Sequence, residues 1–145
     1  MAGTFMGTYE ASVSNRRISI PQPYRKQFSP QAKNMVTIIR GRLNTLQIYP
    51  FDRWKMTKTR LENGPDKDKN FLRMLLRWAT ELKIEGPGRI LIPQNLLDMA
   101  QIEKNAVFLG EGKYFTLWNP EKFAEYTLTL EQDYENVFLG NINSL

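Results

Sequence analysis

The sequence contains one motif twice, and this repeat limits the folds that the chain can adopt. Residues Arg17–Pro21 read Arg-Ile-Ser-Ile-Pro and return 72 positions later as Arg-Ile-Leu-Ile-Pro at Arg89–Pro93. A second pair of segments, Leu46–Pro50 and Thr116–Pro120, is offset by 70 positions. Self-similarity at a fixed period is the sequence signature of repeated structural units. The 145 residues therefore predict two halves that share one core, with small length differences in the connecting segments.

Local patterns within each half predict short strands and helices. In Arg17–Ile20 isoleucine alternates with polar side chains, as in a half-buried strand. Pro21 and Pro93 end these strands and are acceptable in the first turn of a helix. The predicted strands are Arg17–Ile20, Val36–Ile39, Leu46–Tyr49, Thr80–Ile84, Ala106–Leu109 and Phe115–Trp118, and the predicted helices are Pro21–Phe28, Phe51–Leu61, Pro93–Ala100 and a segment from Pro120 onward.

A polar segment separates the halves. Residues Glu62–Lys69 include Asn-Gly-Pro-Asp, which is typical of a turn-rich linker. Asn70 can cap a helix over Phe71–Ala79, whose apolar residues surround most of its circumference and predict burial against another element or subunit. We therefore divide the chain into a first repeat over residues 1–61, a linker and central helix over 62–79, and a second repeat with a C-terminal helix over 80–145.

Two residue types are missing, and their absence narrows the possible functions. The chain has no histidine and no cysteine, so a Cys/His zinc site, a thiolate nucleophile and a Ser-His-Asp triad are all impossible. We expect a protein that is not an enzyme and has no metal, cofactor or small-molecule ligand. The N-terminal residues lack the pattern of a signal peptide, and no apolar run reaches the ~18 residues of a membrane span. A cytoplasmic protein without membrane association is expected.

The positive charge is concentrated in the first half. The net charge is +5, and residues 1–70 hold 13 Lys+Arg against 5 Asp+Glu, whereas residues 71–145 hold 7 against 10. Between Glu10 and Asp52 there is no acid, although this interval contains Arg16, Arg17, Arg25, Lys26, Lys33, Arg40 and Arg42. A solvated basic face and a surface for a polyanion such as nucleic acid both fit this pattern. An anionic membrane fits less well, because the interval has no basic amphipathic helix.

The turns before Arg17 and Arg89 are the candidate functional sites. Each turn presents an arginine at the start of a strand, and arginine can form paired hydrogen bonds to guanine or to phosphate. An alternative for Arg89 is an ion pair with Glu85, four positions earlier, whereas position 13, equally far before Arg17, is Val13. The candidate DNA-binding residues are Asn15, Arg16, Arg17, Glu85, Gly88 and Arg89.

These motifs together resemble the MraZ family of bacterial transcriptional regulators. The resemblance rests on the double Arg-x-x-Ile-Pro repeat, the opening Gly7–Glu10, the Leu-x-Ile-Tyr-Pro segment before Trp54 and the core Gly88–Pro93, and it covers nearly the whole chain. It implies an α+β, mostly β fold, in which two tandem AbrB-like (SpoVT-AbrB) swapped-hairpin repeats form an intramolecular pseudo-dimer barrel with short helices.

The resemblance also implies a function and an assembly. It implies a nucleoid-associated repressor that binds repeated elements in promoter DNA of the division and cell-wall gene cluster, through Asp-x-x-x-Arg turns and as a closed ring of subunits. The first turn of this chain, Val13–Arg17, lacks the acid and the glycine of that pattern. We expect Asn15 to supply the positive φ in place of glycine, and Arg16 to add a phosphate contact.

Other interpretations remain open at this stage. The chain could be a scaffold or an antitoxin-like interaction module of the same fold, and a carboxylate enzyme would have to use Glu81 and Glu85. The candidate subunit interfaces are the helix Phe71–Ala79 and the C-terminal helix with Phe123, Tyr126 and Leu130. Packing within one chain is the other possibility for both helices, and we favour it more for Phe71 and Leu75 than for Tyr126.

Overall fold

The computed structural model describes residues 3–145 and shows an α+β fold in which the strands are antiparallel. The strands are β1 Thr8–Ser12, β2 Arg17–Ser19, β3 Met35–Arg40, β4 Leu46–Pro50, β5 Thr80–Lys83, β6 Arg89–Leu91, β7 Asn105–Gly110 and β8 Phe115–Trp118. The α-helices are α1 Gln22–Arg25, α2 Phe51–Glu62, α3 Asp66–Leu76, α4 Gln94–Met99, α5 Pro120–Gln132 and α6 Tyr134–Asn141. Short 3₁₀ turns cover Pro30–Ala32, Arg42–Asn44 and Ile142–Ser144.

The two halves exchange strands. Six strands form one sheet in the order β1-β7-β8-β4-β3-β5, so β1 of the first half pairs with β7 of the second, and β5 of the second half pairs with β3 of the first. Strands β4 and β8 join the halves in the middle of this sheet. Strands β2 and β6, one from each half, form a separate antiparallel pair that we call the ribbon. The halves therefore fold as one unit.

The expectation of a closed barrel is wrong. Strands β1 and β5 are the two edges of the six-stranded sheet and do not pair with each other. The chain leaves each edge through a tight turn, and the backbone groups of β2 and β6 then bond to one another across the ribbon. The ribbon packs its isoleucines against the sheet as a separate layer, and the six-stranded sheet stays open.

The core lies between the ribbon and the sheet. Ile18 and Ile20 of the first half and Ile90 and Ile92 of the second are at most 1% exposed. They pack in one cluster with sheet residues of both halves, among them Val36, Ile38, Phe108 and Leu117. Each buried isoleucine contributes about 1.5–3 kcal/mol through removal of apolar surface from water. The repeated Ile-x-Ile motif thus stabilises the interface between the halves.

The central helix differs from its prediction in position and in burial. It begins at Asp66, directly after Pro65, because Asp66 and Asp68 are favourable at the positive end of a helix. Asn70 consequently lies within the helix and accepts a hydrogen bond from Arg73 instead of capping. Only Leu72 and Leu75 of this helix are buried.

The prediction that Phe71 belongs to the core is wrong, because 52% of that residue is exposed. Met74 is also exposed, so α3 has an apolar side that nothing in the described chain covers. Tyr126 of α5, in contrast, stacks on Trp118 with ring centroids 5.1 Å apart. This C-terminal helix therefore packs within the chain at Tyr126, whereas Leu130 further along it is exposed.

Candidate nucleic-acid interface

The ribbon places Arg17 and Arg89 on the same exposed face. Arg17 lies opposite Leu91, and Arg89 lies opposite Ser19, while Ile18 and Ile90 form the pair between them. Successive side chains of a strand point to opposite faces, and both isoleucines point into the core. Arg17 and Arg89 therefore point outward, and both are exposed. Diagonal neighbours in an antiparallel pair typically lie about 7–8 Å apart, with their Cβ atoms somewhat closer.

The first turn, which we call turn 1, connects β1 to β2 and has a loop of two residues between the bridge partners Ser14 and Arg17. Ser14 and Arg17 exchange backbone hydrogen bonds of 3.0 and 2.9 Å, and the loop residues Asn15 and Arg16 have φ values of 51° and 62°. Two successive positive φ values identify the type I′ hairpin turn. The predicted positive φ at Asn15 is confirmed, and Arg16 shares it. Arginine is unfavourable in this left-handed conformation by about 1–2 kcal/mol.

The second turn, turn 2, is one residue longer. Glu85 and Arg89 exchange backbone hydrogen bonds of 2.7 and 2.9 Å around Gly86, Pro87 and Gly88. The φ values of Gly86 and Gly88 are 47° and 110°, which glycine adopts without a steric penalty. The turns therefore differ in length as well as in sequence.

This length difference corrects the comparison of the two turns. Ser12 of β1 and Lys83 of β5 lie opposite equivalent positions of the sheet, and these residues are 71 positions apart. Arg17 and Arg89 are 72 apart, so the extra residue of the second half lies in turn 2. The counterpart of Glu85 is thus Ser14, which occupies the same bridge position, and not Val13 as a constant offset of 72 would give.

Within residues 3–145, no carboxylate forms an ion pair with the cations of the two turns. Arg16, Arg17 and Arg89 are all exposed. Glu85 and Arg89 are bridge partners through their backbones, but the ion pair found in residues 3–145 joins Lys58 to Glu62 at 3.5 Å. The alternative of an ion pair between Glu85 and Arg89 is therefore not observed.

The other predicted cations do not all gather on the ribbon face. Lys33 lies near turn 2, because the next residue, Asn34, forms two hydrogen bonds with Ile84 just before that turn. Arg40 lies at the far end of β3, donates to Asn44 at 3.0 Å and covers the Trp78 ring. Arg42 is close to it in the following 3₁₀ turn. The cations of the acid-free interval therefore lie at two different ends of the sheet.

Arg25 contacts turn 2, although sequence analysis does not select it as a candidate site residue. It ends helix α1 of the first half, and its guanidinium donates hydrogen bonds to the carbonyl of Ile20 at 3.1 Å and to that of Pro87 in turn 2. A Cβ atom on Gly88 would lie only 2.6 Å from Arg25 Nε. Arg25 thus reaches across to the turn of the other half and occupies the space beside Gly88, whose φ of 110° favours glycine. Its place in the acid-free interval was the only signal in the sequence.

Groups with shifted pKa values lie away from the ribbon face. Burial raises the pKa of Tyr24, Tyr49 and Tyr114, and burial lowers the pKa of Arg53. These side chains hold the core together, as the hydrogen bond from Arg53 to the carbonyl of Lys113 illustrates. Glu81 and Glu85 are exposed, so neither has the buried environment that tunes a catalytic carboxylate.

No helix within residues 3–145 is both long enough and apolar enough to cross a membrane.

Comparison with known proteins identifies the family. A family model described as "MraZ protein, putative antitoxin-like" matches the chain twice, over residues 4–73 and 74–138. A protein of Clostridium tetani is 34% identical over 137 residues, covering 92% of this chain and 93% of its own length. One of Caldanaerobacter subterraneus subsp. tengcongensis is 31% identical over 144 residues, covering 95% and 98%. Each relative is named "Transcriptional regulator MraZ". The two tandem matches and these relatives show that the chain belongs to the MraZ family.

Proposed function

We propose that this protein is a transcriptional regulator that binds double-stranded DNA through the outer face of its ribbon. The observation that carries the proposal is the position of Arg17 and Arg89, one from each half, as exposed diagonal neighbours on that face. The name of the relatives supports the same conclusion. A two-stranded antiparallel ribbon fits the major groove of B-DNA, which is about 12 Å wide. The protein acts without catalysis.

Each of the six candidate DNA-binding residues has a role in this proposal. Arg17 and Arg89 donate paired hydrogen bonds to guanine or to phosphate, and Arg16 contacts phosphate at the tip of turn 1. Glu85 is exposed beside Arg89 and can accept a hydrogen bond from cytosine N4. Asn15 and Gly88 adopt the positive φ values that the two turns require. Phosphate contacts fix the position of the protein, whereas base contacts select the sequence.

The AbrB-like swapped-hairpin architecture is part of the proposal. Its support is the strand exchange, in which β1 and β5 each pair with a strand of the other half. In that arrangement the hairpin β1-β2 and the hairpin β5-β6 interlock, and their last strands form the ribbon. The DNA-binding face then exists only when both halves are folded together.

The regulator assembles as a homo-oligomeric ring and represses transcription from repeated promoter elements. Support for assembly comes from α6, on which Tyr134, Val137, Phe138 and Leu139 are 40–64% exposed in the single chain. Apolar surface of this extent in one short helix favours contact with another copy. Linked copies bind successive DNA elements at high effective concentration, so repeated elements are bound much more tightly than one. The targets are promoters of the division and cell-wall gene cluster, and the protein resides on the nucleoid in the cytoplasm.

The proposal is tested by binding to DNA from upstream of the protein's own gene at two salt concentrations. We expect Arg17→Ala and Arg89→Ala each to abolish specific retention while the mass of the assembly stays unchanged. Arg42→Ala is the matched control, since it removes an exposed positive charge at the other end of the sheet. Wild-type retention in the Arg17→Ala/Arg89→Ala double variant would contradict the proposal.

A second candidate function is that of an antitoxin-like interaction module. The description of the matching family favours it, as does the exposed apolar side of α3 with Phe71 and Met74. A defined protein partner recovered from nuclease-treated lysate, together with no salt-dependent DNA retention, would favour this candidate over the regulator.

A further inference from the structure

Arg25 connects the two halves of the molecule at turn 2. Its guanidinium donates hydrogen bonds to the carbonyl of Ile20, directly after the first half's β2, and to that of Pro87, at the tip of the second half's turn. The backbone of Ile20 also donates to the carbonyl of Gly88 at 2.9 Å. The tip of turn 2 is therefore held at two adjacent carbonyls, one by the backbone and one by a charged side chain.

These bonds restrict a turn that would otherwise be mobile. Gly86 and Gly88 carry no side chains, and glycine has more accessible backbone conformations than any other residue. The Arg25 side chain fills the space where a Cβ of Gly88 would lie. Arg89 follows Gly88 directly, so the backbone conformation at positions 87 and 88 sets the direction in which Arg89 leaves the turn.

Turn 1 has the equivalent backbone bond, in which the amide of Ile92 donates to the carbonyl of Arg16 at 2.8 Å, but no side chain of residues 3–145 is seen to donate to its tip as Arg25 does in turn 2. The residue 72 positions after Arg25 is Leu97, which is buried in the core and has no side-chain donor. In turn 1 the two tip residues, Asn15 and Arg16, both adopt positive φ without being glycine. The pseudo-symmetric halves thus differ in how firmly each holds its arginine.

We propose that Arg25 is a positioning residue for DNA recognition, which preorganises turn 2 so that Arg89 reads bases stringently while Arg17 reads them more tolerantly. This inference rests on the function proposed above and identifies the residue that makes the two halves of the protein unequal. A preorganised contact loses less conformational freedom on binding and discriminates more sharply against a wrong partner. The planar guanidinium is essential, because it offers donors to two carbonyls at once, whereas lysine offers a single charged group.

Two variants distinguish the effect of the guanidinium geometry of Arg25 from the effect of its positive charge. Arg25→Lys keeps the positive charge and removes the paired geometry, and Lys26→Gln removes an exposed charge from the next position. Binding is measured to the upstream DNA of the protein's own gene and to a scrambled DNA of the same length. We expect Arg25→Lys to weaken binding to the upstream DNA about tenfold, as for the loss of a hydrogen bond from a charged donor, and to leave scrambled DNA unaffected. Lys26→Gln lowers both affinities alike.

Equal behaviour of Arg25→Lys and wild type on the upstream DNA would overturn the inference. A second measurement requires no DNA. In the free protein, Arg25→Lys accelerates amide hydrogen exchange at Gly88 and Arg89, whose amides both donate to Glu85, and leaves Arg17 in turn 1 unchanged. Unchanged exchange at Gly88 and Arg89 would also overturn it. If the wild type retains no DNA, the proposed function fails, and the exchange rates still decide whether Arg25 holds turn 2.

Discussion

Ile18 of the first half and Ile90 of the second lie directly opposite each other in the ribbon, and both are almost completely buried. This pair makes the outer face of the ribbon dependent on the core beneath it, because the adjacent arginines can point outward only while the isoleucines point inward.

Truncating this pair is expected to destabilise the whole chain. Ile90→Ala should lower the free energy of unfolding by about 2–5 kcal/mol, since it removes buried apolar atoms and leaves a cavity between the halves. Urea denaturation measures the change. Ser19→Ala, on the exposed side of the same ribbon, is the control and should stay within about 0.5 kcal/mol of wild type. Separate unfolding transitions for the two halves would contradict a shared core.

Turn 1 should become more stable when its strained arginine is replaced. Arg16→Gly is expected to raise the free energy of unfolding by about 0.5–1 kcal/mol, because glycine adopts positive φ without the steric penalty but adds freedom to the unfolded chain. The same change should weaken DNA binding and lower the slope of log affinity against log salt by about 0.9.

Arg16→Ala separates the two effects. It should weaken DNA binding equally, since the charge is lost, without any gain in stability, since alanine retains the steric penalty. Calorimetry measures the stability of both variants, and salt titration measures their affinity for DNA. A gain in stability with alanine would show that the left-handed conformation of position 16 is not strained.

The apolar surface of α6 should hold the assembly together. Phe138→Glu places a charge among the exposed apolar side chains and is expected to reduce the mass of the assembly, since an unpaired charge is costly to bury. Light scattering after size-exclusion chromatography measures the mass. Asn136→Glu adds the same charge at an exposed polar position of this helix and should leave the mass unaltered. An unchanged mass for Phe138→Glu would exclude α6 from the subunit interface.

Alkaline conditions should destabilise the fold through Tyr24. Its hydroxyl donates to the carbonyl of Gly7 at 2.7 Å, and burial raises its pKa, helped by Tyr9 and Glu111. Tyrosine loses its proton at about pH 10 in an unfolded chain but stays protonated above that pH in the folded one. Stability is therefore fully present below about pH 10 and is lost as the pH rises further.

The measurement is the free energy of unfolding at several pH values on either side of about pH 10. Tyr24→Phe should be less stable at neutral pH, because the hydrogen bond is lost, and should decline less steeply in alkali. An equally steep decline in this variant would assign the effect to other tyrosines.

The repeated motif made the main elements of this fold predictable. Strands around Val36–Ile39, Leu46–Tyr49, Ala106–Leu109 and Phe115–Trp118 are confirmed to within one residue at each end. The strand β1 was missed, because its polar residues and its position at the sheet edge leave little hydrophobic pattern. Its pairing with β7 of the other half depends on the tertiary arrangement, which no local pattern encodes.

The sequence predicted the two exposed turns with their arginines, but it did not predict the structural difference between the turns. A constant offset of 72 aligned Val13 with Glu85, because a one-residue difference in turn length becomes visible only from the register of β1 and β5. Arg25 could be recognised as a cation, but its bond to Pro87 joins residues 62 positions apart. Long-range contacts of this kind follow from the fold and not from the spacing of residues.

The absence of cysteine from the sequence allows the central claim to be tested directly. Ser19→Cys introduces a unique thiol beside Arg89 on the outer face of the ribbon, and a DNA-cleaving iron chelate attached there reports which DNA lies next to it. We predict localised cleavage of the upstream DNA from position 19 and none from Thr59→Cys, which is exposed on α2. Cleavage from position 59 but not from position 19 would contradict DNA binding by the ribbon face.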